Sequence, residues 1–201
     1  MPFPEFFAAA PTITLVDPLM RFLGGSDDGV LEYRYEDAVR LAGHSCPTVA
    51  GAFLMVRTGL KALYGDDLPE RGAVRVLFPD EAAEGVTGVM GAVASLITGA
   101  RGDEGFKGIA GRFDRRFLLE FDADVGGAMA LERVADGRRA TITYAAHIVP
   151  HDPGMRPLLE RCIAGIATAD EEREFGRLWQ DRVRRVLERC DDPEMLGVAL
   201  S

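Results

Sequence analysis

Gly43-His44-Ser45-Cys46-Pro47-Thr48-Val49-Ala50-Gly51-Ala52-Phe53-Leu54-Met55-Val56 is the stretch on which the fold turns. Pro47 suits the first position of a helix, where its missing N–H costs nothing and its fixed φ is already helical. The run after it continues without a breaker through Leu60, Leu63 and Tyr64, and Gly65 supplies the stop. A helix over 47–64 follows, and its small residues Ala50, Gly51 and Ala52 let another element or a ligand approach its first turns closely. Cys46 then falls at the N-cap, where free N–H groups and the positive end of the helix dipole favour an anion. The thiolate form of cysteine is both a metal ligand and a nucleophile. Gly43 allows backbone to pass close to whatever lies beside this loop.

Outward from this helix the chain alternates between helical and extended patterns. The first thirty residues read as an irregular lead with one helix over 17–23, ending at Gly24-Gly25, and 35–41 is a short helix delivering the chain to the His-Cys loop. Arg71-Gly72-Ala73-Val74-Arg75-Val76-Leu77-Phe78-Pro79 alternates charge and apolar groups as a half-buried strand does. A glycine-rich helix follows over 83–98, its small residues marking close packing. Strands are expected at 115–121, 129–134 and 139–144, the last two joined by Asp136-Gly137, a tight-hairpin signal. Thr168-Ala169-Asp170-Glu171 is a capping box, and Phe175, Leu178, Trp179, Val183, Val186 and Leu187 form one stripe of the helix it starts. Arg173, Arg177, Arg184, Arg185 and Arg189 lie on its other face. The reading is therefore α+β: a mixed or antiparallel sheet of about four strands with helices packed on it and a C-terminal amphipathic helix. One domain is expected over 1–166, with a helical extension over 167–201 packed on it or on a partner subunit.

Composition bounds the function. At 201 residues the chain is long enough to bury roughly 70% of its unfolded surface without disulfides or metal. A net charge of −9 argues against nucleic acid and anionic membranes, since both demand clustered Lys and Arg. The three cysteines, at 46, 162 and 190, are too widely spaced for a disulfide framework, and a reducing compartment, the cytoplasm, is the simpler expectation. Cys162 and Cys190 read as structural thiols. Met1-Pro2-Phe3-Pro4-Glu5-Phe6-Phe7 lacks the basic region of a signal peptide, and no segment reaches the ~20 apolar residues of a membrane span.

Three readings of His44 and Cys46 stand side by side. Imidazole and thiolate one residue apart suit a zinc-like ion. Alternatively Cys46 is a nucleophile with His44 as its base. The plainest reading makes Cys46 a small buried hydrophobe and His44 a satisfied loop residue. The other two histidines of the chain, His147 and His151, fall at the end of the 139–144 strand among prolines, where a scaffold holds ligands. If that sheet end meets the start of helix 47–64, either could join His44 and Cys46 as a metal ligand. Asp80, Glu81 and Glu84 are alternative carboxylate donors. Residues 99–111 hold five glycines with Arg101 and Lys107. Their spacing matches neither a P-loop nor a dinucleotide fingerprint, so a mobile lid over the His-Cys site is the better expectation than a phosphate cradle.

Leu41-Ala42-Gly43-His44-Ser45-Cys46-Pro47-Thr48-Val49-Ala50-Gly51 resembles the Gly-His-x-Cys-Pro signature of the formylmethanofuran dehydrogenase E-subunit family. Supporting echoes occur at Leu96-Ile97-Thr98-Gly99, at Gly105-Phe106-Lys107-Gly108, across 167–175, and in Leu178-Trp179-Gln180-Asp181-Arg182-Val183. The resemblance covers most of 31–190, and the His-Cys segment is its specific part. It implies an α+β domain with a metal near the signature, in an accessory or sensor role in one-carbon or redox metabolism beside a molybdenum or tungsten enzyme. Family members often carry a second Cys and an Asp on the helix before the Thr-Gly pair, but those positions fall at Val89 and Ala92, which cannot ligate. A Cys after Gly99 and C-terminal zinc-ribbon pairs are also missing. The resulting expectation is a zinc, nickel or copper centre at His44 and Cys46, completed by His147 or His151, in a homodimer. The alternatives are a metal-dependent enzyme acting on a small substrate, with Ser45, Glu81 or His151 handling protons, and a Cys46 thiol enzyme without metal.

Overall fold

Helix α3, Pro47–Tyr64, is the axis of the molecule. Apolar residues surround it over 49–56, so this part must be covered on every side. Val49, Ala50, Ala52, Phe53, Leu54, Met55, Val56, Leu60 and Leu63 are all 2% exposed or less. In the computed structural model, which describes residues 3–201, a sheet covers one side of α3 and helices cover the others. The first two positions of the Met1–Phe7 stretch lie outside those residues.

The sheet has five strands in the order β4-β3-β5-β6-β7: β3 Val74–Leu77, β4 Leu119–Glu120, β5 Met129–Arg133, β6 Arg139–Tyr144 and β7 Leu196–Leu200. Only β3 and β4 run parallel. Val74, Val76, Met129, Leu131, Ala140 and Ile142 turn inward toward the core around α3. The opposite face carries an ionic ladder that follows the register Arg75↔Glu132↔Arg139. Arg75 reaches Glu132 at 2.8 Å and Arg139 reaches the same carboxylate at 2.8 Å. Alternation thus separates an apolar from a charged face, as a one-sided sheet requires.

On the helical side, α2 (Tyr35–Ala42), α4 (Thr87–Thr98) and α6 (Ala169–Glu188) pack on α3 or on one another, and α5 (Met155–Ile163) packs on α6. The capping box at Thr168 and Glu171 is formed, as expected. The α+β reading holds.

Several details differ from the sequence expectation. The lead is not irregular: β1 (Ile13–Val16) and β2 (Val30–Tyr33) pair antiparallel around α1 (Pro18–Phe22). Asp17, between β1 and α1, caps that helix and accepts from Arg71 at 2.9 Å and from Arg115 at 2.8 Å. Arg115 is therefore drawn inward, 5% exposed, and the expected strand over 115–121 shrinks to the two residues of β4. Nor is the C-terminal segment only a helical extension. After α6 the chain returns to add β7 to β6, so 167–201 is built into the domain, with α6 seated on α3.

Candidate functional site

One end of α3 opens onto a cavity of about 510 Å³. Its floor is Pro47, Thr48 and Met55 of α3. Val86 and Met90, at the start of α4, form one wall. Ala128, Tyr144 and Ala146 come from the sheet end where β5 begins and β6 finishes, and Trp179 and Arg182 of α6 close the far side. His44 and Cys46, in the loop between α2 and α3, complete the lining. The size is that of small-molecule sites, which pair apolar walls with a few polar groups.

Local sequence explains the position of each donor. Gly43 ends α2 in the left-handed conformation, φ 74°, with its N–H on the Val39 carbonyl. Its role is thus a C-cap and not the close backbone approach expected of it, because a side chain there would meet open space. Cys46 is the N-cap of α3, 7% exposed, and its Sγ accepts from the Val49 N–H at 3.4 Å. His44 is exposed, and its Nδ1 lies 2.9 Å from the Ala42 carbonyl. A carbonyl only accepts, so Nδ1 carries the proton, and in the neutral imidazole Nε2 keeps its lone pair. A backbone hydrogen bond of this kind orients a ligating histidine and fixes its tautomer. His44 is bonded to the Ala42 carbonyl and Cys46 to the Val49 N–H, and no hydrogen bond joins the imidazole to the thiol.

Ser45 faces the other way. Tyr35 donates to the Ser45 hydroxyl at 3.0 Å, and that hydroxyl donates to Gln180 Oε1 at 2.9 Å. The Ser45 carbonyl accepts from Trp179 Nε1 at 3.0 Å and from Gln180 Nε2 at 3.2 Å. Ser45 therefore clamps α6 onto the His-Cys loop and does not line the cavity, which corrects its expected role in proton handling. Burial raises the Tyr35 hydroxyl above its ordinary value, in keeping with a donor that stays protonated.

The Tyr144 ring packs against α3 at Gly51. A Cβ at position 51 would sit 2.5 Å from the Tyr144 ring, so only glycine accommodates this contact. Burial pushes the Tyr144 hydroxyl up to about 12, against the pull of the Arg182 charge. Arg182 is half-buried and its Nε donates to the Val149 carbonyl at 2.9 Å.

The sheet end that carries His147 does meet the start of α3, since Tyr144 and Ala146 share the cavity with His44 and Cys46. His147 and His151 are nevertheless exposed, and neither lines the cavity. After Tyr144 the chain makes a short 3-10 turn, Ala146–Ile148, which buries Val149 and turns His147 outward. Asp80, Glu81 and Glu84 are also exposed and outside the lining. Among the described residues, no three His, Cys, Asp or Glu side chains are grouped to hold a metal ion. The structure brings together His44 and Cys46 alone of the expected ligands. Residues 99–111 wrap around Arg115 at a separate depression and contribute nothing to the cavity, so they are not its lid.

Arg182, Tyr144 and Trp179 are the site residues that sequence reasoning passed over. A signal existed for Arg182: it stands three residues after Trp179 and four after Leu178, on the inward stripe of α6 and off its basic face.

Compared with known proteins, the chain matches no family model and no curated protein.

Proposed function

We propose that this chain is a metal-binding protein of the formylmethanofuran dehydrogenase E-subunit type, holding a zinc-like ion through Cys46 Sγ and His44 Nε2. The observation that carries this reading is that both donors line one cavity, with the His44 tautomer set so that Nε2 retains its lone pair. The donor chemistry fits a late first-row ion, because thiolate with imidazole suits Zn²⁺, Ni²⁺ or Cu⁺ and not Mg²⁺ or Ca²⁺. Two protein donors do not make a closed structural site of four ligands. Remaining positions would be filled by water or by a small molecule in the cavity, so the ion would serve to bind or polarise that molecule and not to hold the fold together. The core fits this division, since α3 and the sheet are joined by apolar side chains. An accessory or sensor role in one-carbon or redox metabolism follows from the His-Cys signature.

The test is metal content of the untagged protein beside Cys46→Ser and His44→Ala. Near-stoichiometric zinc, nickel or copper in the parent, lost in both variants while they remain folded, is the expected result. A parent that arrives without metal and refuses added Zn²⁺, Ni²⁺ and Cu⁺ would overturn the reading.

A further inference from the structure

Helix α6 contains five arginines, and four of them are neutralised on the surface. Arg173 pairs with Asp170, Arg177 with Glu174, and Arg184 and Arg185 with Asp181. Arg182, the one on the cavity wall, pairs with no carboxylate among the described residues. Its Nε is held by the Val149 carbonyl, and its two terminal nitrogens make no hydrogen bond within the described residues. No Asp or Glu lines the cavity, although the chain as a whole carries a charge of −9. The positive end of α3 opens onto the same space. A guanidinium held by one nitrogen with a free fork beside apolar walls is the geometry of a carboxylate anchor.

From this we infer that the cavity binds an amphipathic monocarboxylate, its head on the Arg182 fork and its apolar body against Val86, Met55 and Met90. A single cation with no second Lys or Arg in the lining matches a monoanion better than a phosphate dianion. The inference rests on the cavity being the ligand site proposed above, and it does not require the metal.

Trp179 is the only tryptophan of the chain and lines this cavity, so its emission reports occupancy directly. The experiment titrates octanoate, and octanamide as its uncharged counterpart, into the chelator-treated protein. Saturable change of Trp179 emission is expected, with octanoate bound at least about tenfold tighter than octanamide, as a charge-assisted hydrogen bond predicts. Arg182→Met should lose that preference and leave octanamide binding within about twofold of the parent. Arg182→Lys, which keeps the charge and loses the fork, should fall between them. Equal binding of the two probes, no binding of octanoate, or octanoate affinity unchanged in Arg182→Met would each overturn the inference. If Arg182→Met does not fold, the parent's charge preference and the Arg182→Lys titration decide alone. A missing metal leaves these titrations unaltered, and a failed titration leaves the metal analysis unaltered, so the two readings fail separately.

Discussion

Substituting Gly51 by alanine tests whether helix packing shapes the cavity. A methyl group there would lie 2.5, 2.6 and 2.8 Å from Cε1, Cζ and Oη of Tyr144. Carbon contacts settle at about 3.5–4.0 Å, so the ring must retreat by about 1 Å. Its one hydrogen bond to α3, to the Pro47 carbonyl, is long at 3.5 Å and does little to resist. Overpacking of this kind costs about 1–3 kcal/mol. Against it stands the helix preference for alanine over glycine, about 0.8–1.0 kcal/mol. The net is a loss of about 0–2 kcal/mol, the small difference of two opposed effects. A double-mutant cycle separates them. In a Tyr144→Ala background the clash is gone, and Gly51→Ala should stabilise by about 0.8–1.0 kcal/mol. The coupling between the sites is then about 1–3 kcal/mol. Urea unfolding followed by circular dichroism measures all four proteins, and octanoate titration should show weaker binding as the displaced ring enters the cavity. Gly176→Ala on α6 is the control: a Cβ there meets nothing within 4 Å, so it should stabilise outright. Gly51→Ala stabilising equally in both backgrounds would refute the seating of Tyr144 on α3.

The buried polar groups set three more outcomes. Asp17→Asn leaves Arg115, 6% exposed at its side chain, without its counter-charge. It should cost about 3–5 kcal/mol, roughly 6–20 °C in melting temperature for a chain of this length. Burial would raise the Asp17 carboxyl, but the Arg71 and Met20 hydrogen bonds and the Arg115 and Arg71 charges outweigh it and hold it below its ordinary 3.8. Its stabilisation is therefore complete above that value and lost as pH falls through the depressed one. The gap between parent and Asp17→Asn should be constant above about pH 5 and close in stronger acid, as melts across that range would show. Ser45→Ala strands the buried Tyr35 hydroxyl and should cost about 1–3 kcal/mol, with Tyr35→Phe in the same background recovering part of it in urea titrations.

What the chain discloses in advance depends on whether a feature is local. Helix α3 was legible because Cys46, Pro47 and Gly65 mark its ends, and its apolar circumference marks it as interior. The hairpin of β5 and β6 was legible from Asp136-Gly137 between alternating residues. By contrast, β4 is two residues long and exists because β3 lies beside it, while Arg115 just before it is drawn inward by Asp17, 98 positions earlier. Strand β7, Leu196-Gly197-Val198-Ala199-Leu200, includes glycine and alanine, poor strand formers, and is held by its register with β6. At the site, the nearness of His44 and Cys46 is a matter of sequence. That His147 faces outward depends on a short turn after Tyr144, and Arg182 acquires its meaning only when α6 closes the cavity.

Cobalt(II) titration of the metal-free protein tests whether Cys46 holds the ion, because thiolate ligation to cobalt gives an intense near-ultraviolet charge-transfer band. The expected result is that band at one equivalent, its absence in Cys46→Ser, a weaker complex in His44→Ala, and displacement by zinc. Cobalt binding without the band, or a band that survives Cys46→Ser, would contradict a metal held by Cys46 at the start of α3.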